Sequence, residues 1–353
     1  MNPNPLPRTV RRFGDSRLAL LGVLALALAA CDNEVELLDA SGSVPIVFGV
    51  YNQSADEQLV SVTRTFRFSD GGSARASAAN PDSVYYPETA VQVRATTDNP
   101  PTAAQAERVD LSAEGVVRES GPFPTAPNVY YRYDLGGLGL ETGDSFNLDV
   151  IALAGDTLLA RATGIRLPDI EFPRTRVPPD RYAITAQNDF STSWVLTQDG
   201  FDDLIDLYEV GFVFAFTENG PGGLRFRELY WPAAQNLTDG KRASIDLKRL
   251  FGFLRSELEV DPAVTRRFRF LQLVITGGDQ AFADYQQLLV ANSGITSTQE
   301  LPPFTNVEGG LGLFGSVTQF RQDTSASLST GGFDALYARD GDPFEMIDYN
   351  FQP

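Results

Sequence analysis

The sequence predicts a mainly β chain, with an N-terminal β-sandwich followed by a second β-rich domain that carries two short helices. Three observations support this. Apolar residues alternate at period 2 through many short runs. Turn formers separate those runs at short intervals: Asp70-Gly71-Gly72, Asn80-Pro81-Asp82, Asn99-Pro100-Pro101, Gly136-Gly137, Thr142-Gly143-Asp144 and Gly155-Asp156. Helical spacing of apolar residues emerges at two places that also carry start and stop signals, both in the second half.

Val44 to Val50 is a short β-branched run. Leu59 to Phe68 alternates, with Val60, Val62, Phe66 and Phe68 on one face and Ser61, Thr63 and Thr65 on the other; Arg64 interrupts the apolar face and points to an edge. Val91 and Val93 share a face, as do Val129, Tyr131 and Tyr133. Phe146, Leu148 and Val150 alternate with Asn147 and Asp149, and Thr157 to Leu167 closes the set. Residues 44–167 therefore read as a sandwich with no convincing helix. Pro168, Pro173, Pro178 and Pro179 each fix φ and remove a backbone donor, so residues 168–180 are not a central strand. They read as the link to a second domain at 181–353; a proline-rich segment inside one larger domain is the alternative.

In the second half Tyr208, Val210, Phe212, Phe214 and Phe216 form a strong strand signal, and Leu224 to Trp231 and Arg267 to Ile275 are further strands. Leu247, Leu250, Phe251, Leu254 and Leu258 fall on one helical face, with Asp246 at the start and Asp261-Pro262 as the stop. Asp279 is placed to cap a second helix bearing Phe282, Tyr285, Leu288 and Leu289, ended by Asn292-Ser293-Gly294.

Composition narrows the chemistry. The net charge is −18, and the first thirty residues hold four Arg and one Asp, so their removal takes it to −21. Nucleic acid is therefore not an expected partner, because phosphate binding needs a basic footprint. Histidine is absent, which excludes Ser-His-Asp and Cys-His nucleophile pairs and histidine-based zinc sites. Carboxylate chemistry, oxygen-ligand cations and plain binding remain. No cofactor and no metal are expected. Lysine occurs only at Lys241 and Lys248, which suits either a saline habitat or the base composition of a genome.

The N-terminus carries an address. Arg8, Arg11, Arg12 and Arg17 precede Leu18 to Ala30, an uncharged run too short for the roughly 20 residues of a membrane span but suited to the core of an export signal. Leu28-Ala29-Ala30-Cys31 ends it with small residues and the sole cysteine. This resembles the bacterial lipobox, and the resemblance implies that residues 1–30 are removed and that Cys31 carries a diacyl lipid. Residues 31–43 read as an acidic tether; acids just after the lipidated cysteine resemble surface-export signals of Bacteroidota lipoproteins, and a solvated linker is the equal alternative.

Pro303 to Gly315 is the most distinctive stretch of the mature chain. Gly310, Gly312 and Gly315 spell G-x-G-x-x-G, but a dinucleotide site needs a helix after the glycines. Ser316 to Phe320 continues as strand, so the glycines are expected to admit positive φ and close packing while Val307, Leu311, Leu313 and Phe314 fill the core. The run with Asn306, Gly309, Gly310, Gly312, Phe314 and Gly315 resembles the closing signature of a large group of Bacteroidota outer-membrane lipoproteins of unknown function. Asp284 to Leu288, Ile46 to Tyr51 and Val60 to Phe66 fit the same pattern. The resemblance implies an N-terminal Ig-like β domain, a lipid-anchored place in the outer membrane and a TonB-dependent receptor as partner. It establishes no catalytic residue, and the tail after Phe320 exceeds the pattern.

Two further groups could carry chemistry. Asp202, Asp203, Asp206 and Glu209 form the densest acidic cluster, and the spacing of Phe201, Leu204, Ile205 and Tyr208 would place Asp202 and Asp206 together on one helical face. A solvated face is the default, with a cation site as the alternative. Asp340-Gly341-Asp342 with Glu345 and Asp348 reads as an acidic terminal loop. Trp194, Tyr230, Trp231, Tyr85-Tyr86 and Tyr130-Tyr131 could stack on sugars or serve as core. The favoured expectation is a non-enzymatic accessory or binding component of an uptake system. A surface glycan-active hydrolase working by paired carboxylates is the alternative, and a structural envelope protein is a third.

Overall fold

A computed structural model describes residues 43–353 apart from 56, 67–73, 99, 175–176, 184–188, 239, 293–304, 324–325 and 339–343. The expected signal, Leu28, Ala29, Ala30, Cys31 and the tether up to residue 42 lie outside the described residues.

The described chain is mainly β. Its first half contains β1 (Pro45–Asn52), β2 (Gln58–Arg64), helices α1 (Ala74–Ala78) and α2 (Pro81–Val84), β3 (Val91–Asp98), β4 (Pro101–Gln105), β5 (Glu107–Asp110), β6 (Val129–Tyr133), β7 (Ser145–Ala152) and β8 (Thr157–Ile165). The second half adds the short strands β9 (Ile170–Glu171), β10 (Arg181–Tyr182), β11 (Phe190–Ser193) and β12 (Val195–Leu196), then β13 (Leu207–Gly220), β14 (Gly223–Leu237), β15 (Arg242–Ile245), α3 (Arg249–Glu257), β16 (Thr265–Gly278), α4 (Gln280–Asn292), β17 (Leu311–Arg321), β18 (Ser327–Leu328) and α5 (Thr330–Leu336). None of the helices among the described residues is long and apolar enough to cross a membrane.

An eight-stranded sheet has the order β14-β13-β16-β17-β1-β2-β6-β5, and a four-stranded sheet the order β4-β3-β7-β8. The large sheet is antiparallel except at its middle, where β1 and β17 run parallel from Ile46 opposite Leu311 to Asn52 opposite Val317. This one seam joins a hairpin-built half from each end of the chain.

The side chains form two main cores. Val47, Val60, Val62, Val93, Tyr131, Phe146, Leu148 and Val150 gather from both sheets, and Phe314 joins them from β17. Phe212, Phe214, Phe216, Leu250, Phe251, Leu254, Leu271 and Leu273 form the second. Each buried aliphatic or aromatic side chain contributes about 1.5–3 kcal/mol relative to exposure. The period-2 face of β6 is its buried face, as the alternation requires, whereas β7 and β13 are buried on both faces over most of their length.

Several local expectations are corrected. Residues 168–180 are not a free link: Leu167 and Ile170 are buried, and β9 pairs with β12. The cores divide near this segment, but the large sheet crosses it, and Val44–Pro353 form one compact unit. The cause is non-local, since β17 must return to β1 to close the sheet. The first half is not helix-free, because Asn80 accepts a hydrogen bond from the Asp82 backbone N–H and caps α2. β3 and β4 pair antiparallel from Asp98 opposite Pro101, so β4 already starts at Pro101, whose missing N–H matters little at a strand's first residue. A third helix in the second half, α5, is capped by Ser329.

The tail is not an appended loop either, although residues 340–342 lie outside the described residues. Phe351 is 6% exposed and packs edgewise on Phe214, 5.9 Å between centroids, and against Phe216. The Arg266 backbone donates to Asn350 O at 3.0 Å and accepts from Gln352 N at 2.8 Å. Arg266, itself buried, holds Glu218 at 2.8 Å and donates to Tyr349 O. Glu345 pairs with Arg255, and Asp348 sits in a short helical turn.

Candidate functional site

The glycine-rich segment lies at the parallel seam. Gly312, at φ +116°, stands opposite Val47, and a Cβ there would lie 1.9 Å from Val47 O. Gly309 has φ +68° and would meet Leu159 O at 2.7 Å; Gly310 would meet Pro45 O at 2.9 Å. Phe314 lies over Gly49 and Gly164, where a Cβ would crowd its ring. Asn306 acts as a piece of strand edge: its Nδ2 donates to Phe314 O at 2.6 Å, and its Oδ1 accepts from Phe314 N at 2.9 Å. Glu308 exchanges both backbone hydrogen bonds with Arg161 on β8.

Gly315 abuts the start of α4, where Asp279 accepts from Phe282 N at 2.9 Å and from Ser316 N at 2.8 Å. Burial raises the Asp279 carboxyl above its ordinary value, against the pull of those donors. Beyond Gly315 the chain continues as strand to Arg321, so the glycines do not open a helix onto a phosphate.

The acidic cluster is dispersed. Only Asp202–Leu204 is helical, as a single 3-10 turn, and Tyr208 and Glu209 already belong to β13. Like charges one turn apart disfavour the helix that the apolar spacing suggested. Asp202 pairs with Lys241, while Glu209 accepts from Tyr230 Oη and from Gln235 Nε2. Burial, with Asp284 nearby, raises the Asp206 carboxyl. Among the described residues no three His, Cys, Asp or Glu side chains are grouped to hold a metal. The aromatic candidates are largely core: Trp194, Trp231, Tyr85, Tyr86 and Tyr131 are buried, with Trp231 stacked on Phe212 and Trp194 edgewise on Tyr208. Tyr230 is exposed and Tyr130 half-buried.

Sequence reasoning missed a cavity of ≈ 310 Å³ where the ends of β1 and β6 meet the start of β2 and the residue after β8. Tyr51 and Tyr133 end their strands, Gln53 and Gln58 flank the β1–β2 turn, Arg166 follows β8, and Asp134, Gly139 and Leu140 come from the turn around Gly136–Leu138. Gln58 ties the start of β2 to the end of β1: its Nε2 donates to Asn52 O at 2.7 Å and its Oε1 accepts from Asn52 N at 3.0 Å. Asp134 Oδ1 accepts from Gly136 N at 2.8 Å.

Among the residues that line the cavity, Tyr133 Oη and Gln53 Oε1 are fully buried atoms with no hydrogen-bond partner among the described residues. The orientation of Gln53 is set from its other end, where Nε2 donates to Asp169 Oδ1 at 2.6 Å and to Thr318 Oγ1 at 3.1 Å. Burial raises the Tyr51 phenol, and the Arg166 guanidinium beside it pulls the other way. Burial likewise raises the Tyr133 phenol, with Tyr51 adding to the effect, so both hydroxyls stay protonated at neutral pH. The sequence holds only a faint trace of this site, namely tyrosines closing two apolar alternations and an arginine just after a strand.

A wider cleft of ≈ 650 Å³ lies between Val177–Pro179 and the β11–β15 pair. Its lining is proline, serine, threonine and apolar side chains, Phe190 and Leu237 among them, with Arg242 as the charged member. No protein-family model matches the chain, and no curated protein matches it.

Proposed function

We propose that this protein is a lipid-anchored outer-membrane component that binds a small molecule as an accessory of a TonB-dependent uptake system, without chemistry of its own. The observation that supports binding is the cavity beside the seam. Its polar lining, Gln58, Asp134 and Arg166 among it, comes from sheet ends and turns, and pre-set polar groups in a small concave site suit recognition. The lipobox ending at Cys31 supports the address. The signature from Asn306 to Gly315 supports kinship with lipoproteins whose genes accompany such receptors.

The test begins with the mature N-terminus. Mass spectrometry should find an acylated Cys31, and Cys31→Ser should move the protein from the membrane to the soluble fraction. The lipidated protein, tagged at its C-terminus, should co-purify from solubilised outer membranes with a TonB-dependent receptor. An unmodified N-terminus would refute the anchor, and absence of the receptor from the purified complex would refute the partnership.

A further inference from the structure

We propose that the end of the first half that carries Val116, Val117, Phe123, Leu153 and Leu158 rests in the surface of a phospholipid bilayer. The proposal rests on the reading of Cys31 as lipidated and adds a second contact with the membrane.

Topology brings these residues to one end of the two sheets. β1 and β17 both start there, with Ile46 opposite Leu311. β2 finishes there, with Arg64 opposite Pro45, and β6, antiparallel to β2, starts there. β5 finishes beside it, with Asp110 opposite Val129. The β5–β6 loop, residues 111–128, therefore leaves the large sheet at the end where the chain enters at Val44. In the other sheet, Arg161 on β8 bridges Glu308, just ahead of β17, whereas Ile165 N bonds Ser316 Oγ farther along that strand. The start of β8 thus lies at the same end, and the β7–β8 turn at 153–156 projects there.

The two ends differ in character. Val116, Val117, Phe123, Leu153 and Leu158 are each between 44% and 62% exposed. At the other end, the turns at 53–57, 98–101 and 134–144 expose no valine, leucine or aromatic side chain among the described residues. Apolar side chains gathered at the tips of one end mark an interaction face. The loop is held to present them: Asp110 Oδ1 accepts from Ser112 N at 3.0 Å and Asn128 N at 2.8 Å, and Asn128 Nδ2 donates to Val116 O at 3.2 Å.

The anchor decides the occupant. Val44 follows Cys31 by thirteen residues, so the lipid lies no more than about 45 Å along the chain from this end. The β5–β6 loop is only three strand spacings from β1, about 14 Å. Charge permits the contact. Glu114 pairs with Arg132 at 2.8 Å and Asp156 with Arg94 at 3.3 Å. Arg118 lies over the Phe123 ring, 5.8 Å from its centroid, where its guanidinium can reach the headgroups while the ring enters the acyl boundary. Adjacent Arg118 and Glu119 cancel, so apolar burial drives the contact and anionic lipid is not required. The cavity lined by Gln58, Asp134 and Arg166 then opens at the end away from the bilayer.

The test uses the lipidated mature protein in phosphatidylcholine vesicles. Nitroxide labels would be placed by Val117→Cys, Phe123→Cys and Leu158→Cys, and by Ala55→Cys at the other end, with Cys31 blocked by its lipid. Paramagnetic resonance would compare relaxation by oxygen, which concentrates in lipid, with relaxation by a water-soluble nickel chelate. The oxygen-to-nickel ratio at 117, 123 and 158 should exceed that at 55 by roughly tenfold. Val117→Asp with Phe123→Asp alters exposed side chains only, so the melting temperature should hold while the label at 158 returns to water. Labels at 117, 123 and 158 that relax as the label at 55 does, or a 158 label unmoved by the two aspartates, would overturn the proposal. Labels shielded from both agents, with a dimer on a sizing column, would assign the face to a second copy and overturn it too. Mass spectrometry of Cys31 reads the anchor: an unmodified Cys31 removes the anchor and this proposal with it, whereas an acylated Cys31 with water-exposed labels removes the bilayer face alone.

Discussion

Replacing Gly312 by alanine tests the seam. The Cβ would lie 1.9 Å from Val47 O, whereas real Cβ atoms keep at least 3.0 Å, so β1 and β17 must part by about 1.1 Å. Strands normally sit about 4.7–4.9 Å apart, and a widening of that size breaks the ladder hydrogen bonds on either side. Two such bonds contribute about 1 kcal/mol each, and a side chain at φ +116° adds about 1–3 kcal/mol of backbone strain. The loss comes to about 3–5 kcal/mol, a large share of a typical margin of about 5–15 kcal/mol. At about 2 °C per kcal/mol for a unit this large, the melting temperature should fall by roughly 6–10 °C. Gly252 is the control. It lies in α3 with nothing within 4 Å of a Cβ, and alanine there should leave stability unchanged or raise it by up to about 1 kcal/mol. The assay is thermal unfolding of both variants followed by far-UV circular dichroism. A Gly312→Ala protein that melts with the parent would refute the steric argument.

Three other outcomes follow from the packing. Phe351→Ala should cost about 3–5 kcal/mol in urea unfolding, as for other buried aromatics, because the ring plugs the core beside Phe214 and Phe216; a surface-like change under 0.5 kcal/mol would mean the tail is not docked. Burial opposes the charge on Glu218, but hydrogen bonds from Arg227 and Arg266 outweigh it and hold the carboxyl below its ordinary 4.5; its stabilisation is therefore complete above that value and lost as pH falls through the depressed one. Stability measured from pH 6 down to pH 2 should drop less steeply in Glu218→Gln than in the parent, and identical profiles would contradict the assignment. Trypsin should cut after the exposed Arg174, yet the two pieces should co-elute on a sizing column, since they share the eight-stranded sheet; separation into two folded halves would show that the seam does not hold them.

Short-range patterns were legible because they are written in neighbouring residues. The face of β13 from Tyr208 to Phe216, the faces of β6 and β7, the helix led by Leu250, Phe251 and Leu254, and the Asp279 cap on α4 all follow from periodicity and capping chemistry. Pattern misled where a short apolar spacing competed with charge repulsion, at Asp202 to Glu209, and where the whole turn, helix or strand was only a few residues long, as at Pro81–Val84 and Pro101–Gln105.

By itself the sequence determined a mainly β chain, the glycine-rich run as a strand and not a phosphate loop, and the positions of the long strands, because each depends on alternation or φ preference within about ten residues. Only the tertiary structure decided that β17 lies parallel to β1, that Phe314 belongs to the core of the first half, that Phe351 closes the second core, and that Tyr51, Tyr133 and Arg166 face one cavity. Those pairings join residues more than thirty positions apart, and which distant strand edges meet is set by the packing of the whole chain, on which no local period reports.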